Sequence, residues 1–140
     1  VVVPHRAQKA AIGSVLAGKF SPEEASRAFE AVDTVERFQG GERDAIIVSA
    51  TESDPVYLLA SGGFLYDPNR LTVALSRAKQ KLVLIAGGSV FELFSPDAET
   101  YQNIELWRSI PRTYCTEPLW SGDIEGVRVE VLGNRTALAD

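Results

Sequence analysis

The sequence is short of the features that assign a chain to a class at once. Its 140 residues hold one cysteine (Cys115), one histidine (His5) and no methionine. A lone cysteine closes no internal disulfide, so a reducing compartment is the simplest expectation, with Cys115 structural or incidental. A single histidine also weakens any metal centre built on Asp33, Glu36 and Glu42, which have no imidazole near them in the chain. No apolar run approaches the roughly 20 residues that a membrane-spanning helix needs, and no basic segment followed by an apolar one opens the chain as a secretory leader would. There is no G-x-x-x-x-G-K-[ST] loop to cradle phosphates, and no Asp-Glu pair after an apolar strand to hold Mg²⁺.

What is present is ordinary for a globular domain: 45% hydrophobic residues and 24% charged. A chain of this length buries roughly two thirds of the surface it would expose unfolded, which is enough for one core. The net charge of −5 is unevenly spread. Residues 1–90 carry ten Lys/Arg and ten Asp/Glu, whereas residues 91–140 carry four and nine. The body is therefore balanced and can still present a local basic strip to phosphate, because local arrangement and not net charge decides that.

Along the chain, apolar runs that read as buried parallel strands alternate with helical patterns. Val1-Val2-Val3 opens directly as a core strand, so the chain is expected to be a fragment of a longer polypeptide. A helix follows over Ala7–Leu16, with Gly18 as its stop. Ser21-Pro22-Glu23-Glu24 is a capping-box helix start. Strands are expected at Ala31–Val35, Ala45–Ala50 and Lys81–Gly88, with a tight turn over 36–43 and an ordered surface loop over 52–66. Residues 91–140 read as an acidic extension packed on the core, with a helix over Asp97–Ser109 and an alternating strand over Val127–Val131. The predicted class is α/β, an open parallel sheet flanked by helices.

The stretch from Asp67 to Lys79 carries the strongest helix signal. Asp67 can cap it, Pro68 suits its first turn, and Leu71, Ala74, Leu75 and Ala78 fall on one face. Arg70 and Arg77 then share another face two turns apart, open either to solvent or to an anion. Three polar clusters stand beside strands: His5-Arg6-Ala7-Gln8, Asp33 to Arg43, and Asn69 to Lys79. In open parallel sheets, ligands bind outside the carboxyl ends of the strands, where loops and helix starts converge, and the first two clusters are expected at such ends. Gly40-Gly41 would let backbone approach a phosphate, although a Gly-Gly pair is as readily an ordinary tight turn.

Three segments, taken in order, resemble motifs IV, V and VI of superfamily 1 helicases: Pro-His-Arg-Ala-Gln after a Val strand, Val32 to Asp44, and Asn69 to Lys79. The branch they look most like includes the nonsense-mediated-decay RNA helicase and related DNA replication and repair helicases. The likeness covers about residues 1–88, and it implies the second RecA-like domain of a motor. It also implies roles by position. Arg77 matches the arginine finger of motif VI, which reaches the γ-phosphate of an ATP held mainly by the other RecA-like domain. Arg6 matches a second phosphate contact. His5 stands where relatives often have an adenine-stacking tyrosine, and Gln8 completes that motif. Glu42 matches the carboxylate on the nucleotide ribose, Gly41 lies where backbone passes near the phosphates, and Arg70 is a further nucleotide candidate. Thr34 and Gln39 match positions that contact the nucleic-acid backbone.

The resemblance thus implies ATP with Mg²⁺ as cofactor, bound mainly by a missing first RecA-like domain of the same polypeptide. The implied partner is a single strand of DNA or RNA, inside the cell, in the cytoplasm or at the nucleoid or nucleus. Without the phosphate loop and the Asp-Glu pair, the fragment alone is expected not to hydrolyse ATP. An alternative from another class is a non-catalytic nucleic-acid or protein-binding module derived from such a domain; a free-standing flavodoxin-like binder is a third.

Overall fold

In the computed structural model the described residues are 1–34, 37, 41–50, 52–61 and 65–134, without the side chains of Ser61, Pro68, Arg70, Leu71 and Ala74. The chain divides into two compact units, Val1–Val90 and Phe91–Asp140.

The first unit is built on a four-stranded parallel sheet of β1 (Val2–Val3), β2 (Asp33–Thr34), β3 (Arg43–Ala50) and β4 (Ala78–Ala86), in the order β2-β1-β3-β4. Among the described residues four helices lie within it, α1 (Arg6–Lys19), α2 (Pro22–Glu30), α3 (Pro55–Ser61) and α4 (Pro68–Leu75), and α5 (Gly88–Glu92) begins in it and ends in the second unit. This is the expected α/β class, a parallel sheet with helices of the kind a RecA-like domain has. Register is set by β-branched runs that exclude water together. Val2 pairs with Asp33 on one side and Val48 on the other, and Val2, Ile46 and Val48 form a buried cluster joined by Ala78 and Leu84.

Burial along β3 alternates, with Ile46, Val48 and Ala50 buried and Ile47 and Ser49 half-buried. The strand is therefore less evenly covered than its continuous apolar run suggests. The larger departure is β4, expected to be buried. As the last strand of the sheet it leaves Leu82, Val83 and Ile85 exposed, Ile85 by 54%. Apolar content marks a strand but does not tell an edge from a centre.

Helix starts follow the caps. Ser21 and Glu24 make a complete capping box: Ser21 Oγ accepts from Glu24 N at 3.4 Å, and Glu24 Oε2 accepts from Ser21 N at 3.1 Å. The Ser21 hydroxyl, donating to Glu24 Oε2 at 2.7 Å, and then the Ser21 N–H hold the Glu24 carboxyl below its usual range. Asp67 Oδ1 accepts from Asn69 N at 2.9 Å to open α4.

The end of α4 differs from expectation. The helix stops at Leu75, Ser76 caps it with N–H to Thr72 O, and Ala78 and Lys79 already belong to β4. Arg77 lies in the turn between them, so Arg70 and Arg77 do not share a helix face and Ala78 packs from the sheet. The Lys79–Leu82 side of the sequence satisfies strand pairing with β3, and that pairing overrides a helical continuation. The loop expected over 52–66 contains α3, begun as α4 is: Asp54 Oδ1 accepts from Val56 N and Tyr57 N at 2.8 and 3.2 Å, with Pro55 in the first turn. Helix α1 also runs through Gly18 to Lys19.

The second unit contains α6 (Ala98–Ser109), a π-turn (Ile110–Tyr114) and a hairpin of β5 (Glu117–Ile124) and β6 (Val127–Gly133). Asp97 caps α6 as expected, accepting from Thr100 N at 2.8 Å. Ile104 and Trp107, three residues apart on α6, are buried, and Phe91 packs on Trp107 with ring centroids 6.0 Å apart. Strand β5 has no counterpart in the sequence reading. Its hairpin turns at Glu125-Gly126, with φ of 53° and 80°. This is the doubly positive geometry of a two-residue turn matched to strand twist, and Gly126 adopts it without steric cost.

Among the described residues, no helix is long and apolar enough to cross a membrane, and no three His, Cys, Asp or Glu lie together as a metal site.

Candidate functional site at the strand ends

The three polar clusters of the sequence resolve into two places. At the start of β3, Gly41 and Glu42 lead into Arg43, whose N–H donates to the Arg77 carbonyl at 3.0 Å. Arg43 is also in register with Ala78 of β4, and the ladder shifts between Arg43 and Ala45. The segments 41–43 and 77–79 are thereby fastened side by side, although 34 residues separate Arg43 from Arg77 in the sequence. Lys79 Nζ then lies 3.2 Å from Glu42 Oε2, with both side chains more than half exposed.

Arg77 itself is half-buried, and its Nε is buried with no hydrogen-bond partner. A guanidinium N–H withheld from water and from protein acceptors is costly unless something supplies an acceptor. Its planar fork suits a phosphate or carboxylate oxygen. Beside this pair of segments, a cavity of about 260 Å³ opens at the start of the strands and is lined by Glu30, Asp33, Arg37, Gly41 and Arg43 among others. Its charges are balanced, two arginines against two carboxylates. A Cβ on Gly41 would stand 2.9 Å from Arg43 Nη1, so the bare backbone there gives the Arg43 head its room.

The second place is the other end of the sheet. His5 and Arg6 follow β1 and open α1. Gln8 Nε2 donates to Ser49 Oγ, near the end of β3, at 2.7 Å. Lys9 pairs with Asp33 at 3.4 Å and stands over the Phe29 ring at 5.1 Å. Thr34 is buried, pairs with Val3, and donates its N–H to Asp33 Oδ1 at 2.9 Å. At about 3.3 Å per residue, the level of Ser49 is roughly 20 Å along β3 from that of Arg43.

The structure therefore brings Gly41, Glu42 and Arg77 together and sets His5, Arg6, Gln8 and Thr34 at the opposite end of the strand. The first cluster stands at a carboxyl end as expected, but Gly41–Arg43 lies at the amino end of β3, because the segment leads into that strand. Gln39 and the Arg70 side chain lie outside the described residues, as does Glu36. Lys79, Arg43 and Arg37 were given no role by the sequence. The first two could be found only from the β3–β4 pairing; the available signal was the apolar run after Lys81, whose strand starts three residues earlier than its composition suggests.

As parts of a nucleotide site, these residues fit one half of the task. Arg77 offers an unpaired donor for phosphate oxygen and Glu42 an acceptor for hydroxyls, while among the described residues no three metal-ligating side chains stand together to hold a divalent cation.

Comparison with known proteins identifies the family. Residues 1–89 match the family model described as "AAA domain". Regulator of nonsense transcripts 1 of Caenorhabditis elegans is 34% identical over 106 residues, 74% of this chain and 9% of that protein. The DNA replication ATP-dependent helicase/nuclease DNA2 of Mus musculus is 36% identical over 96 residues, 69% of this chain and 8% of that protein. The putative helicase MOV-10 of Gallus gallus is 43% identical over 63 residues, 42% of this chain and 6% of that protein. The chain thus spans less than a tenth of the curated relatives it matches here. With nearly all of its first unit inside the matched region, the chain belongs to the AAA domain family and is a helicase-family domain.

Proposed function

We propose that this chain is the C-terminal motor domain, the second RecA-like domain, of a superfamily 1 ATP-dependent DNA or RNA helicase or translocase. It works inside the cell as part of a longer polypeptide, with residues 1–90 as the RecA-like core and 91–140 as an appended extension. What carries the reading is the half-buried Arg77, whose Nε has no acceptor of its own, standing beside the Gly41–Arg43 segment. Support also comes from relatives named as ATP-dependent helicases.

In this reading the chain supplies one wall of a cleft, and the other RecA-like domain supplies the phosphate loop and the Mg²⁺ ligands. Mg²⁺ held there by the other domain would neutralise phosphate charge. Arg77 donates to the γ-phosphate oxygens as charge spreads over them, an interaction that grows towards the transition state and so raises turnover more than binding. Glu42 accepts from the ribose, Gly41 lets backbone pass the phosphates, and Arg70 is a further nucleotide contact. By family position His5, Arg6 and Gln8 also contact a nucleotide, although they stand at the opposite end of β3 from Glu42 and Arg77, roughly 20 Å away, with Gln8 bonded to Ser49. Thr34 and Gln39 contact the nucleic-acid backbone, where uncharged donors suffice for positioning.

The test is Arg77→Ala in the full polypeptide. Turnover should fall by about 10³-fold or more, the range of an arginine finger, while the dissociation constant for ATP changes by only a few-fold. Turnover within tenfold of the parent would refute the assignment.

A further inference from the structure

We infer that Lys79 is the positioning residue for the Glu42 carboxylate, and through it sets the preference of this site for a ribose. The inference deepens the reading of Glu42 given above and rests on it. Glu42 lies on a connecting segment just ahead of β3, and a free glutamate there would sample several rotamers. Lys79 stands on β4, and β4 is held to β3 from Arg43↔Ala78 to Ala50↔Ala86. Lys79 itself falls in the register shift just after the Arg43↔Ala78 pair, so its backbone is held at Ala78 on one side and Lys81 on the other, and its ammonium meets Glu42 Oε2 at 3.2 Å.

A carboxylate has about four acceptor sites on two oxygens. One oxygen taken by Lys79 leaves Oε1 to accept from a sugar hydroxyl, with the carboxylate plane already oriented. Two further bonds hold the backbones of Glu42 and Arg77 beside Arg43. Arg43 N–H donates to the Arg77 carbonyl at 3.0 Å, and Arg43 Nη1 donates to the Glu42 carbonyl at 2.9 Å. Lys79 therefore acts on the nucleotide through Glu42 and touches no reacting atom. An exposed ion pair is weak, so its effect is selective and small.

The experiment compares kcat/KM for ATP and for 2′,3′-dideoxy-ATP in the full polypeptide and in its Glu42→Ala, Lys79→Met and Lys79→Arg variants, each checked for an unchanged melting temperature. Glu42→Ala should abolish the preference for ATP. Lys79→Met should reduce that preference by roughly two- to fivefold, the range an exposed pair supplies, mainly through KM, and Lys79→Arg should recover most of it. If Lys79→Met leaves the ratio unchanged, or weakens both nucleotides equally, the inference is overturned while the Glu42 reading stands. If Glu42→Ala itself leaves the ratio unchanged, the ribose reading fails and the inference falls with it.

Discussion

The two ends of β3 carry polar residues of similar type and use them differently. At its C-terminal end the polar groups serve the domain: Gln8 is spent on Ser49, Lys9 on Asp33 and the Phe29 ring, and Thr34 is buried against Val3. At its N-terminal end the backbone is fastened, Arg43 to Arg77, but a guanidinium Nε stays buried without a partner, and Glu42 is exposed with one oxygen engaged. A satisfied polar group stabilises a fold; one left unsatisfied on a well-held backbone points to a ligand. This difference supports the proposal of the Arg77 site at the N-terminal end of β3.

The contrast can be broken or sharpened by substitution. The largest effect on stability belongs to the core that joins the ends. Ile46→Ala, at a position only 1% exposed, should cost about 2–5 kcal/mol in chemical denaturation and disturb both ends. Next comes Gln8→Ala, which strips Ser49 of its donor at the structural end and should cost about 1 kcal/mol. At the other end, Arg77→Met should leave the melting temperature unchanged or slightly higher, since it removes a buried donor that has no acceptor. A drop as large as that of Gln8→Ala would erase the contrast.

The smallest effect is a pH dependence. Burial pushes the Tyr66 hydroxyl up to about 12 from its usual 10, so the folded state holds the neutral form more tightly than the unfolded state does. This contribution is complete below pH 10 and is lost as pH rises towards 12. Tyr66→Phe should flatten that part of an alkaline denaturation profile. Because the Tyr66 hydroxyl has no hydrogen-bond partner, the substitution should cost little at neutral pH.

Much of the fold was legible because it is written locally. The Ser21–Glu24 capping box, the Asp67-Pro68 helix start, the Asp97 cap and the parallel strands each depend on a few adjacent residues. What was missed depends on distant partners, except for α3, whose start is local. Helix α3 repeats the Asp-Pro start of α4 inside a stretch whose glycines and aromatics suggested a loop. Strand β4 captures Ala78 and Lys79, which helical spacing had claimed, because β3 offers backbone partners from Arg43 onward. Its exposure could not be read from composition, which does not number the strands of a sheet. The same long-range pairing decides the site. Glu42 and Arg77 were legible as candidates from their motifs, but their adjacency through Arg43, and the place of Lys79 beside them, follow from β3–β4 register alone.

The most direct test of Arg77 keeps its charge and removes its fork. In the full polypeptide, ATP turnover by Arg77→Lys should fall by about 10³-fold with binding largely kept, because an ammonium cannot reproduce the planar, bidentate donor. Turnover within tenfold of the parent would contradict it and return Arg77 to a structural turn between α4 and β4.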